Sequence, residues 1–483
     1  MRVLLINSYV NAGHEMITSG RCQVKTNPGM GVWPPIDLAQ IASVIRRHAD
    51  NILILDFMIL HSSEGDVFRK ISDFDPTVII MQSSTPTLKN DILFCRKLKR
   101  SLPESIIVFF GLHATVMPQD ILCEDIKFAI RAEPEITMEE LIRTFRDQRP
   151  GGFGNIKGLS YWQDGKIFHN PDREYAGDLN SFPFPARDLL QNKEYILPYN
   201  KESFTIITVS RGCPYQCGFC TSRLYYGPSC RYRSPESIIS EIEEVTGKYR
   251  IKNFIFLSDT FNFDKEFVLK LCSLIINKKL DIKWACNSKV DRLDEKLAQE
   301  MKKSGCWLIS LGVESGSNTV LKNINKNVTI EQSQKAIKIA KEAGIKTLCY
   351  FVFGLPGENV DTIRETIDFI KKGQFDYAHF YTATPFPGTD FYEQAKKNKW
   401  LVSEDWDRYY HGSSNVISYP FLSNREIQAA VTKAYRTFYL RPKIAWREMS
   451  SARSLRQFIG VMEIGARMLK LLFPKTSEDG SEV

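Results

Sequence analysis

The chain has 483 residues, of which 43% are hydrophobic and 25% are charged, so its length and composition fit a globular protein of two or three domains. A run of about 18 apolar residues, as a membrane-spanning helix requires, does not occur. The net charge of +8 is a mild basic excess that a solvated surface explains, and no nucleic-acid-binding module is recognisable. Because no signal peptide is recognisable either, we expect a cytoplasmic protein with reduced cysteines and no nucleic-acid partner.

The N-terminal third alternates short apolar runs with helical segments. The runs cover residues 2–7, 52–56, 78–81 and 106–110, and the alternation predicts an α/β domain with a doubly wound, flavodoxin-like sheet. Ligands of such folds bind beyond the carboxyl ends of the strands. The polar and glycine residues that the sequence places there are Ser83, Ser84, Thr85, Gly111, His113 and Glu133. The hydroxyls at 83–85 are equally suited to capping a helix that begins near Leu88.

Residues 151–200 are rich in turn-forming residues. The segment follows Pro150, opens with several glycines and contains the run Phe182, Pro183, Phe184, Pro185. We interpret it as a connector between an N-terminal domain over residues 1–150 and a second domain over residues 201–400.

Three cysteines, Cys213, Cys217 and Cys220, follow the apolar run 204–209 with the spacing Cys-x3-Cys-x2-Cys. Four cysteines would saturate a [4Fe–4S] cluster, whereas three leave one iron open to a substrate or cofactor. A zinc site fits less well because only Cys230 lies near and no histidine accompanies it. Disulfides are disfavoured because the chain's eleven cysteines are mostly scattered singly. The motif therefore predicts a reactive iron–sulfur cluster.

Five further strand-like runs follow the cysteines and alternate with amphipathic helical patterns. The runs cover residues 253–258, 282–286, 307–312, 347–353 and 377–381, and the helical patterns cover 237–248, 265–278, 294–304, 330–343 and 361–372. With the run before the cysteines, six strand–helix units predict a partial (β/α)6 barrel. The chemistry of such barrels gathers at the carboxyl ends of the strands.

Candidate site residues lie at these strand ends. They are Asp259 after the second strand, Gly312 and Glu314 after the fourth, Gly354 and Gly357 after the fifth, and Pro385 after the sixth. Asp259 is equally suited to capping a helix, and the two glycines at 354 and 357 to a tight strand-to-helix turn.

The C-terminal region, residues 401–483, is expected to be mostly helical and related to substrate binding. The stretches 405–410 and 434–442 are rich in aromatic residues, which wall a pocket or, more commonly, fill a core. From Lys433 to Lys470 the chain has nine Lys or Arg against two Glu, and residues 455–473 have apolar side chains at helical spacing. Such a helix packs on the protein with a solvated basic face, or lies on an anionic membrane surface.

The cysteine motif, with Phe219 before its last cysteine, resembles the signature of radical S-adenosylmethionine (SAM) enzymes. The resemblance implies that SAM binds the open iron and is cleaved to a 5′-deoxyadenosyl radical. It also implies SAM contacts from the residues that match family motifs, namely Phe219, Asp259, Gly312, Glu314, Gly354, Gly357 and Pro385. Lys289 departs from the pattern, because arginine is expected there and the two are not interchangeable at a bidentate contact.

The N-terminal domain resembles the cobalamin-binding domain that precedes the barrel in one large class of radical SAM proteins. The resemblance implies cobalamin contacts from the six residues named above at the strand ends, namely Ser83, Ser84, Thr85, Gly111, His113 and Glu133. An Asp-x-His-x-x-Gly motif is absent, so His113 is expected to be a pocket residue rather than a cobalt ligand. The family's Gly-Gly-x-His-Ala-Thr element, which includes His113, has Phe110 in place of its first glycine. A domain that has lost cobalamin binding is therefore the alternative.

Together these resemblances imply an enzyme that methylates an unactivated carbon of a small-molecule or lipid-like substrate, using methylcobalamin and electrons from a reductant such as flavodoxin or ferredoxin. A cyclase or rearrangement enzyme of the same class is the alternative. An iron–sulfur or cobalamin sensor would need a signalling module, and none is recognisable. A methylthiotransferase would need a second cluster motif, but Cys22, Cys95 and Cys123 are too widely spaced.

Overall fold

A computed structural model of the protein describes residues 1–7, 16–19, 22–25, 31–60, 62–148, 152–410, 414–451 and 454–472. The predicted domain boundary between residues 150 and 151 and the predicted end of the basic helix at Phe473 lie outside these residues. No helix within these ranges is long and apolar enough to cross a membrane.

Strands of the described residues form two main sheets and two small two-stranded antiparallel sheets. They are β1 (Arg2–Ile6), β2 (Met16–Ser19), β3 (Cys22–Lys25), β4 (Asn51–Leu55), β5 (Val78–Gln82), β6 (Ile106–Phe110), β7 (Phe128–Ile130), β8 (Leu159–Gln163), β9 (Lys166–His169), β10 (Phe204–Thr208), β11 (Ser210–Arg211), β12 (Arg231–Tyr232), β13 (Asn253–Leu257), β14 (Lys283–Ser288), β15 (Cys306–Glu314), β16 (Lys346–Phe353) and β17 (Tyr377–Thr382).

Helices connect most of the parallel strands and form the C-terminal region. They are α1 (Ile36–Ile45), α2 (Glu64–Phe74), α3 (Leu88–Ser101), α4 (Leu112–Val116), α5 (Pro134–Arg146), α6 (Ser222–Tyr226), α7 (Pro235–Glu244), α8 (Lys265–Asn277), α9 (Glu295–Lys303), α10 (Asn318–Asn323), α11 (Ile330–Glu342), α12 (Val360–Lys372), α13 (Asp390–Lys397), α14 (Asn424–Tyr439), α15 (Pro442–Ser451) and α16 (Leu455–Leu472).

The N-terminal sheet has the strand order β4-β1-β5-β6-β7-β8-β9. Its first five strands are parallel, and their order is that of flavodoxin-like folds, in which the topology reverses between β1 and β5. The central strands β1, β5 and β6 are buried on both faces by helices, which explains their unbroken apolar runs. The predicted doubly wound fold is confirmed.

Residues 151–200 do more than connect two domains. They contribute β8 and β9, which extend the N-terminal sheet as antiparallel strands beyond β7. The hydroxyl of Tyr195 donates to the buried Asp56 carboxylate at 2.9 Å, and Arg187 pairs with Glu241 of α7 at 2.6 Å. The segment is therefore bound to both neighbours, and we attribute the missed strands to their short, partly exposed pattern.

The second sheet contains β10, β13, β14, β15, β16 and β17 in chain order, all parallel. Within the described residues β10 and β17 do not pair, so the sheet is an open partial barrel, as the six strand–helix units predict. Helices α7, α8, α9, α11 and α12 lie between successive strands.

One hydrophobic core joins the two domains. The cluster that contains Val3 and Ile80 of the N-terminal sheet continues through Tyr195 to Phe204 and Ile206 of β10, the first barrel strand. The barrel's other core, between its sheet and its helices, also receives Met468 and Leu472 of α16. The predicted C-terminal helix therefore packs on the barrel through part of its surface.

Candidate active site at the junction of the two domains

The three predicted cluster ligands lie in the loop between β11 and α6, directly beyond the carboxyl end of β10. Backbone hydrogen bonds from three directions hold this loop. The amide of Cys213 donates to the carbonyl of Gly227 at 3.2 Å, and the amide of Gly218 donates to Ile324 at 3.0 Å. The amide of Phe391 in turn donates to the carbonyl of Gly218 at 2.9 Å.

The donor set of this loop fits a cluster with one open iron. Cys213 and Cys217 are half-buried, Cys220 is exposed, and none is in a disulfide. Burial raises the pKa of the Cys217 thiol, while the nearby Lys326 cation opposes that shift. Three thiols on one short loop suit a cuboidal cluster, in which each thiolate binds a different iron.

A buried ion pair lies beside the cysteine loop. The Lys326 Nζ atom is 2.7 Å from the Glu314 Oε1 atom, and the two side chains are only 12% and 9% exposed. Burial lowers the pKa of Lys326, but the charges of Glu314 and Cys217 outweigh it and the net shift is upward. Sequence patterns indicated Glu314 but not Lys326.

Local backbone geometry directs Glu314 into the site. At the end of β15 the register with β16 shifts between Gly312 and Glu314, and Glu314 has a left-handed φ of 66°. A Cβ atom on Gly312 would lie 2.4 Å from the Glu314 Oε1 atom and 2.8 Å from the Lys326 Nζ atom. Gly312 is therefore required for the ion pair to reach its position.

Asp259 lies against the cysteine loop and does not cap a helix. Its Oδ2 atom accepts a hydrogen bond from the amide of Gly212 at 3.0 Å. Helix α8 begins later and is capped by Asp264. The neighbouring Thr260 hydroxyl lies 3.5 Å from the Cys213 sulfur. The segment after β13 thus contacts the first cysteine.

Lys289 is engaged by residues of the protein itself. Its Nζ atom is 2.8 Å from Asp291 Oδ1 and 4.3 Å from the centre of the Tyr215 ring. Burial lowers the pKa of Lys289, and its pairing with Asp291 opposes this. The side chain therefore lies beside the cysteine loop, on Tyr215 of that loop.

The glycines after β16 are explained by packing. Both have left-handed backbones, and a Cβ atom would contact Ile427 of α14 at Gly354 and the side-chain amide of Asn323 at Gly357. This agrees with the tight-turn alternative. Glu358, which follows them, is completely buried, and its Oε2 atom accepts from the amide of Gly354.

Two buried polar atoms at this end of the barrel have no hydrogen-bond partner among the described residues, namely Glu358 Oε1 and Thr382 Oγ1 at the ends of β16 and β17. Such atoms fit a polar ligand at the strand ends. Pro385 is buried after β17, and Phe219 packs against the barrel core. The residues present therefore fit SAM.

At the open end of the N-terminal sheet, the predicted hydroxyl residues are bonded within the protein. Ser83 donates to Asp91 at 2.7 Å, and Ser84 caps the short turn Thr85–Thr87 through a reciprocal bond with Thr87. The capping alternative thus applies to Ser84. Because these loops lie at the end of the sheet where such folds bind ligands, their polar residues fit a cofactor there.

His113 is completely buried, and both ring nitrogens are engaged. Nδ1 lies 3.2 Å from the Thr85 hydroxyl, and Nε2 lies 3.3 Å from Asp120. The ring of Trp406, from the C-terminal region, packs edge-on against His113, and its Nε1 atom donates to Asp120 at 3.0 Å. Neither nitrogen of His113 is available to a metal ion.

Glu133 joins the domains. Its two carboxylate oxygens lie 2.8 and 2.9 Å from the guanidinium of Arg231 on β12, and one also accepts from Arg211 at 3.4 Å. Arg211 also pairs with the buried Glu135. The predicted cobalamin residue Glu133 therefore belongs to a buried ion-pair network, whose arginines carry no sequence signal.

The loops after the N-terminal strands meet those after the barrel strands. Helix α4 packs through Leu112 on Tyr225 and Tyr226 of α6, just beyond the cysteines. A Cβ atom on Gly388, after β17, would lie 2.9 Å from the Val116 side chain of α4. The carboxyl ends of the two sheets therefore face each other across one junction.

These two domains identify the class of protein. Residues 207–370 match the radical SAM superfamily and residues 29–142 match the B12 binding domain. The chain belongs to the radical SAM enzymes that carry a B12-binding domain, whose cofactors are a [4Fe–4S] cluster, SAM and cobalamin. The predicted family, enzyme class and cofactors are confirmed.

Among its relatives, an uncharacterised methyltransferase of Pyrococcus horikoshii is 34% identical over 419 residues, which cover 86% of this chain and 90% of that protein. An anaerobic magnesium-protoporphyrin IX monomethyl ester cyclase of Rubrivivax gelatinosus is 26% identical over 467 residues, which cover 95% of this chain and 81% of that protein.

Solved structures share the whole fold. The radical SAM methyltransferase TsrM of Kitasatospora setae, with cobalamin and a [4Fe–4S] cluster bound, superposes with a TM-score of 0.71 at 15% identity, covering 97% of this chain and 99% of that one. The cobalamin-dependent radical enzyme OxsB gives a TM-score of 0.70 at 16% identity, covering 97% and 71%.

Proposed function

We propose that the protein is a methyltransferase that adds a methyl group to an unactivated carbon of a small-molecule substrate. The observation that carries this proposal is the junction at which the carboxyl ends of the two sheets face each other. A substrate held there would lie between the cysteine loop of the barrel and the loops after β5 and β6. The 34% identity to a methyltransferase supports the same reaction.

The residues around the junction have separate tasks in this proposal. Cys213, Cys217 and Cys220 hold the cluster, and the buried pair of Glu314 and Lys326 binds and orients SAM. Bound at these places, the cluster with SAM supplies a carbon-centred radical, and cobalamin supplies the methyl group. Tyr225 and Tyr226 of α6, which are buried at the junction, would help to exclude water, and the reaction needs no protein acid or base. Because Cys220 is exposed, a reductant such as flavodoxin or ferredoxin could reach the cluster from its side.

The test is anaerobic reconstitution of the full chain with iron, sulfide and cobalamin, followed by metal analysis. We expect about four irons and one cobalt per chain. With a low-potential reductant such as dithionite present to reduce the cobalt to the Co(I) state, added SAM should then give S-adenosylhomocysteine together with an equal amount of methylcobalamin, even before the substrate is known. Iron without cobalt, or cobalt that SAM does not methylate, would contradict the methyltransferase assignment.

A matched pair of cysteine variants tests the cluster ligands. Cys217→Ala should abolish the formation of 5′-deoxyadenosine from SAM under reducing conditions, because a cluster ligand is lost. Cys230→Ala, whose thiol instead contacts Ser210 outside the Cys-x3-Cys-x2-Cys motif, should retain it. Full activity of Cys217→Ala would overturn the ligand assignment.

A cyclase is the second candidate, because the cyclase of Rubrivivax gelatinosus matches 95% of this chain. A cyclase would form 5′-deoxyadenosine with its substrate but would transfer no methyl group. SAM labelled with deuterium in its methyl group separates the two candidates, since only a methyltransferase carries the label into the product.

A further inference from the structure

Exposed apolar side chains are concentrated in the C-terminal helices. Seven of the fourteen large hydrophobic side chains that are exposed in the described part of the chain lie between residues 440 and 462. This concentration is independent of the junction described above and lies outside both cofactor sites. A cluster of this kind marks a surface that is covered by a partner.

Helix α16 carries an outward apolar stripe. Leu455, Phe458, Ile459 and Met462 are 75%, 41%, 46% and 52% exposed. Their spacing of three, four and seven residues places them on one face of the helix. We call these four side chains the α16 stripe.

The opposite face of α16 is packed on the protein, so the position of the stripe is fixed. Met468 and Leu472 are buried in the barrel core. A Cβ atom on Gly460 would lie 2.6 Å from the carbonyl oxygen of Pro198, which shows how closely the helix approaches the connector. Arg436 of α14 donates to the carbonyl of Leu472 at 2.9 Å. The helix is therefore apolar on two opposite faces, of which only one is covered.

Helix α15, which precedes α16, also exposes apolar side chains, one of them aromatic. Trp446 is 73% exposed, and Met449, three residues later, is 48% exposed. The two helices are in contact with each other. Tryptophan is enriched where a protein meets the headgroup level of a bilayer, because its ring is apolar with one polar edge.

Positive charge surrounds this surface. The stretch from Lys433 to Lys470 has nine Lys or Arg against two Glu. Lys443, Arg456 and Arg467 are exposed, whereas the one exposed glutamate on α16, Glu463, is neutralised by Lys201. The α16 stripe is therefore accompanied by the exposed cations Arg456 and Arg467 on the same helix, and Glu463 interacts with Arg467 as well as with Lys201.

We propose that α15 and α16 dock this protein on the surface of an anionic lipid bilayer. The α16 stripe and Trp446 would enter the boundary between the lipid headgroups and the acyl chains, while Arg456 and Arg467 would contact anionic lipid headgroups. A second copy of the chain fits the same surface less well. In a two-fold symmetric dimer the patch meets itself, which would bring its arginines and lysines together.

Vesicle flotation of the full chain tests this proposal, with phosphatidylcholine vesicles and vesicles that also contain phosphatidylglycerol. The protein should float with the anionic vesicles and much less with the neutral ones. The variant Leu455→Glu/Phe458→Glu/Met462→Glu should lower the vesicle partition coefficient at least about tenfold, because it removes the apolar contact. The variant Arg456→Gln/Arg467→Gln should lower the partition coefficient for anionic vesicles roughly fivefold for each arginine, and should leave that for neutral vesicles unchanged.

The matched control changes three exposed apolar residues elsewhere, as Leu93→Glu/Ile276→Glu/Val402→Glu. It adds the same charge and should bind vesicles like the wild type. Circular dichroism and melting temperature should be unchanged in all variants, because the altered side chains are exposed. Equal vesicle binding by the stripe variant and the control would overturn the proposal. A wild-type dimer that only the stripe variant dissociates, without vesicle binding, would assign the surface to a second copy.

Discussion

At the scale of single residues, Lys326 and Glu314 set the charge beside the cysteine loop. Their 2.7 Å contact is almost completely buried. Two such charges are costly to remove from water, and their mutual attraction offsets that cost only while both are present. Loss of one partner is therefore more damaging than loss of both.

Lys326→Met should lower the free energy of unfolding by about 3 kcal/mol, because it leaves the Glu314 carboxylate buried without a counter-charge. Urea denaturation measures this. The control is Lys322→Met on α10, an exposed lysine four residues earlier, which should change stability by less than about 0.5 kcal/mol. A Lys326→Met protein as stable as the control would show that the pair contributes nothing to the fold.

Glu358 makes stability depend on pH. Burial raises its pKa from 4.5 to about 8, against hydrogen bonds from the amides of Gly354 and Leu355. Between these two values the unfolded chain releases this proton while the folded protein keeps it. Its contribution to stability is therefore largest below the unfolded pKa and falls as pH rises towards the folded pKa.

The neutral variant Glu358→Gln should remove this dependence. Relative to the wild type, its free energy of unfolding should rise between about pH 5 and pH 8, by at most about 4 kcal/mol. Melting temperatures across that range measure the difference, with Glu342→Gln, exposed on α11, as the control. Parallel pH profiles for Glu358→Gln and the wild type would show that Glu358 is ionised in the folded protein.

At the scale of elements, the loops after β5 and β6 approach each other more closely than side chains permit. Gly111 has a φ of 123°, and a Cβ atom there would lie 2.1 Å from the carbonyl oxygen of Ser83. The amide of Ser83 donates to the carbonyl of Phe110 at 3.0 Å, next to this contact. The glycine therefore fixes the shape of the N-terminal half of the junction.

Gly111→Ala should destabilise the protein by at least about 2 kcal/mol, through the clash and the strained backbone. Thermal unfolding measures the loss. Gly177→Ala is the control, since a Cβ atom at that exposed glycine meets nothing within 4 Å. Equal melting temperatures for the two variants would show that the loops after β5 and β6 separate without cost and that Gly111 has no structural role.

The sequence predicted the elements that are buried on both faces, because their apolar runs are long. It did not predict β7, which has three residues, or β8 and β9, which extend the sheet from a segment rich in turn residues. It also predicted the end of β15 at Gly312, two residues early, because the register shift before Glu314 has no sequence signal.

The sequence predicted site residues that lie together in a short motif. It did not predict residues that are distant in sequence and come into contact only in the folded protein. Lys326 is twelve residues from Glu314, and its one local signal is that Asn325 and Asn327, with φ of 54° and 53°, flank it in left-handed turns. Arg231 meets Glu133 across 98 residues. Such pairs depend on the contact between domains, which composition and periodicity do not encode.

At the scale of the whole molecule, the two domains share a hydrophobic core. Phe204 and Ile206 belong to the barrel strand β10 yet pack in the core of the N-terminal sheet. The buried network of Glu133, Arg211 and Arg231 adds a polar contact across the same boundary. A mutation that weakens the packing at this boundary should therefore lower the stability of both domains.

Phe204→Ala should cost about 3–5 kcal/mol and speed amide hydrogen exchange in both β5 and β13. Phe254→Ala is the matched control, because that ring belongs to the barrel core alone. It should speed exchange in β13 and leave β5 unchanged. Exchange measured by mass spectrometry decides, and a Phe204→Ala protein with an unchanged β5 would show that the domains open separately.

The cysteine loop is held by main-chain hydrogen bonds to Gly227, Ile324 and Phe391, and the side chain of Gln216 within it faces solvent. Main-chain contacts therefore fix much of the shape of this loop. The exposed position Gln216 can therefore be exchanged without moving the three sulfur atoms, so the redox properties of the cluster can be retuned there, by mutation or by engineering, while the ligand geometry is retained.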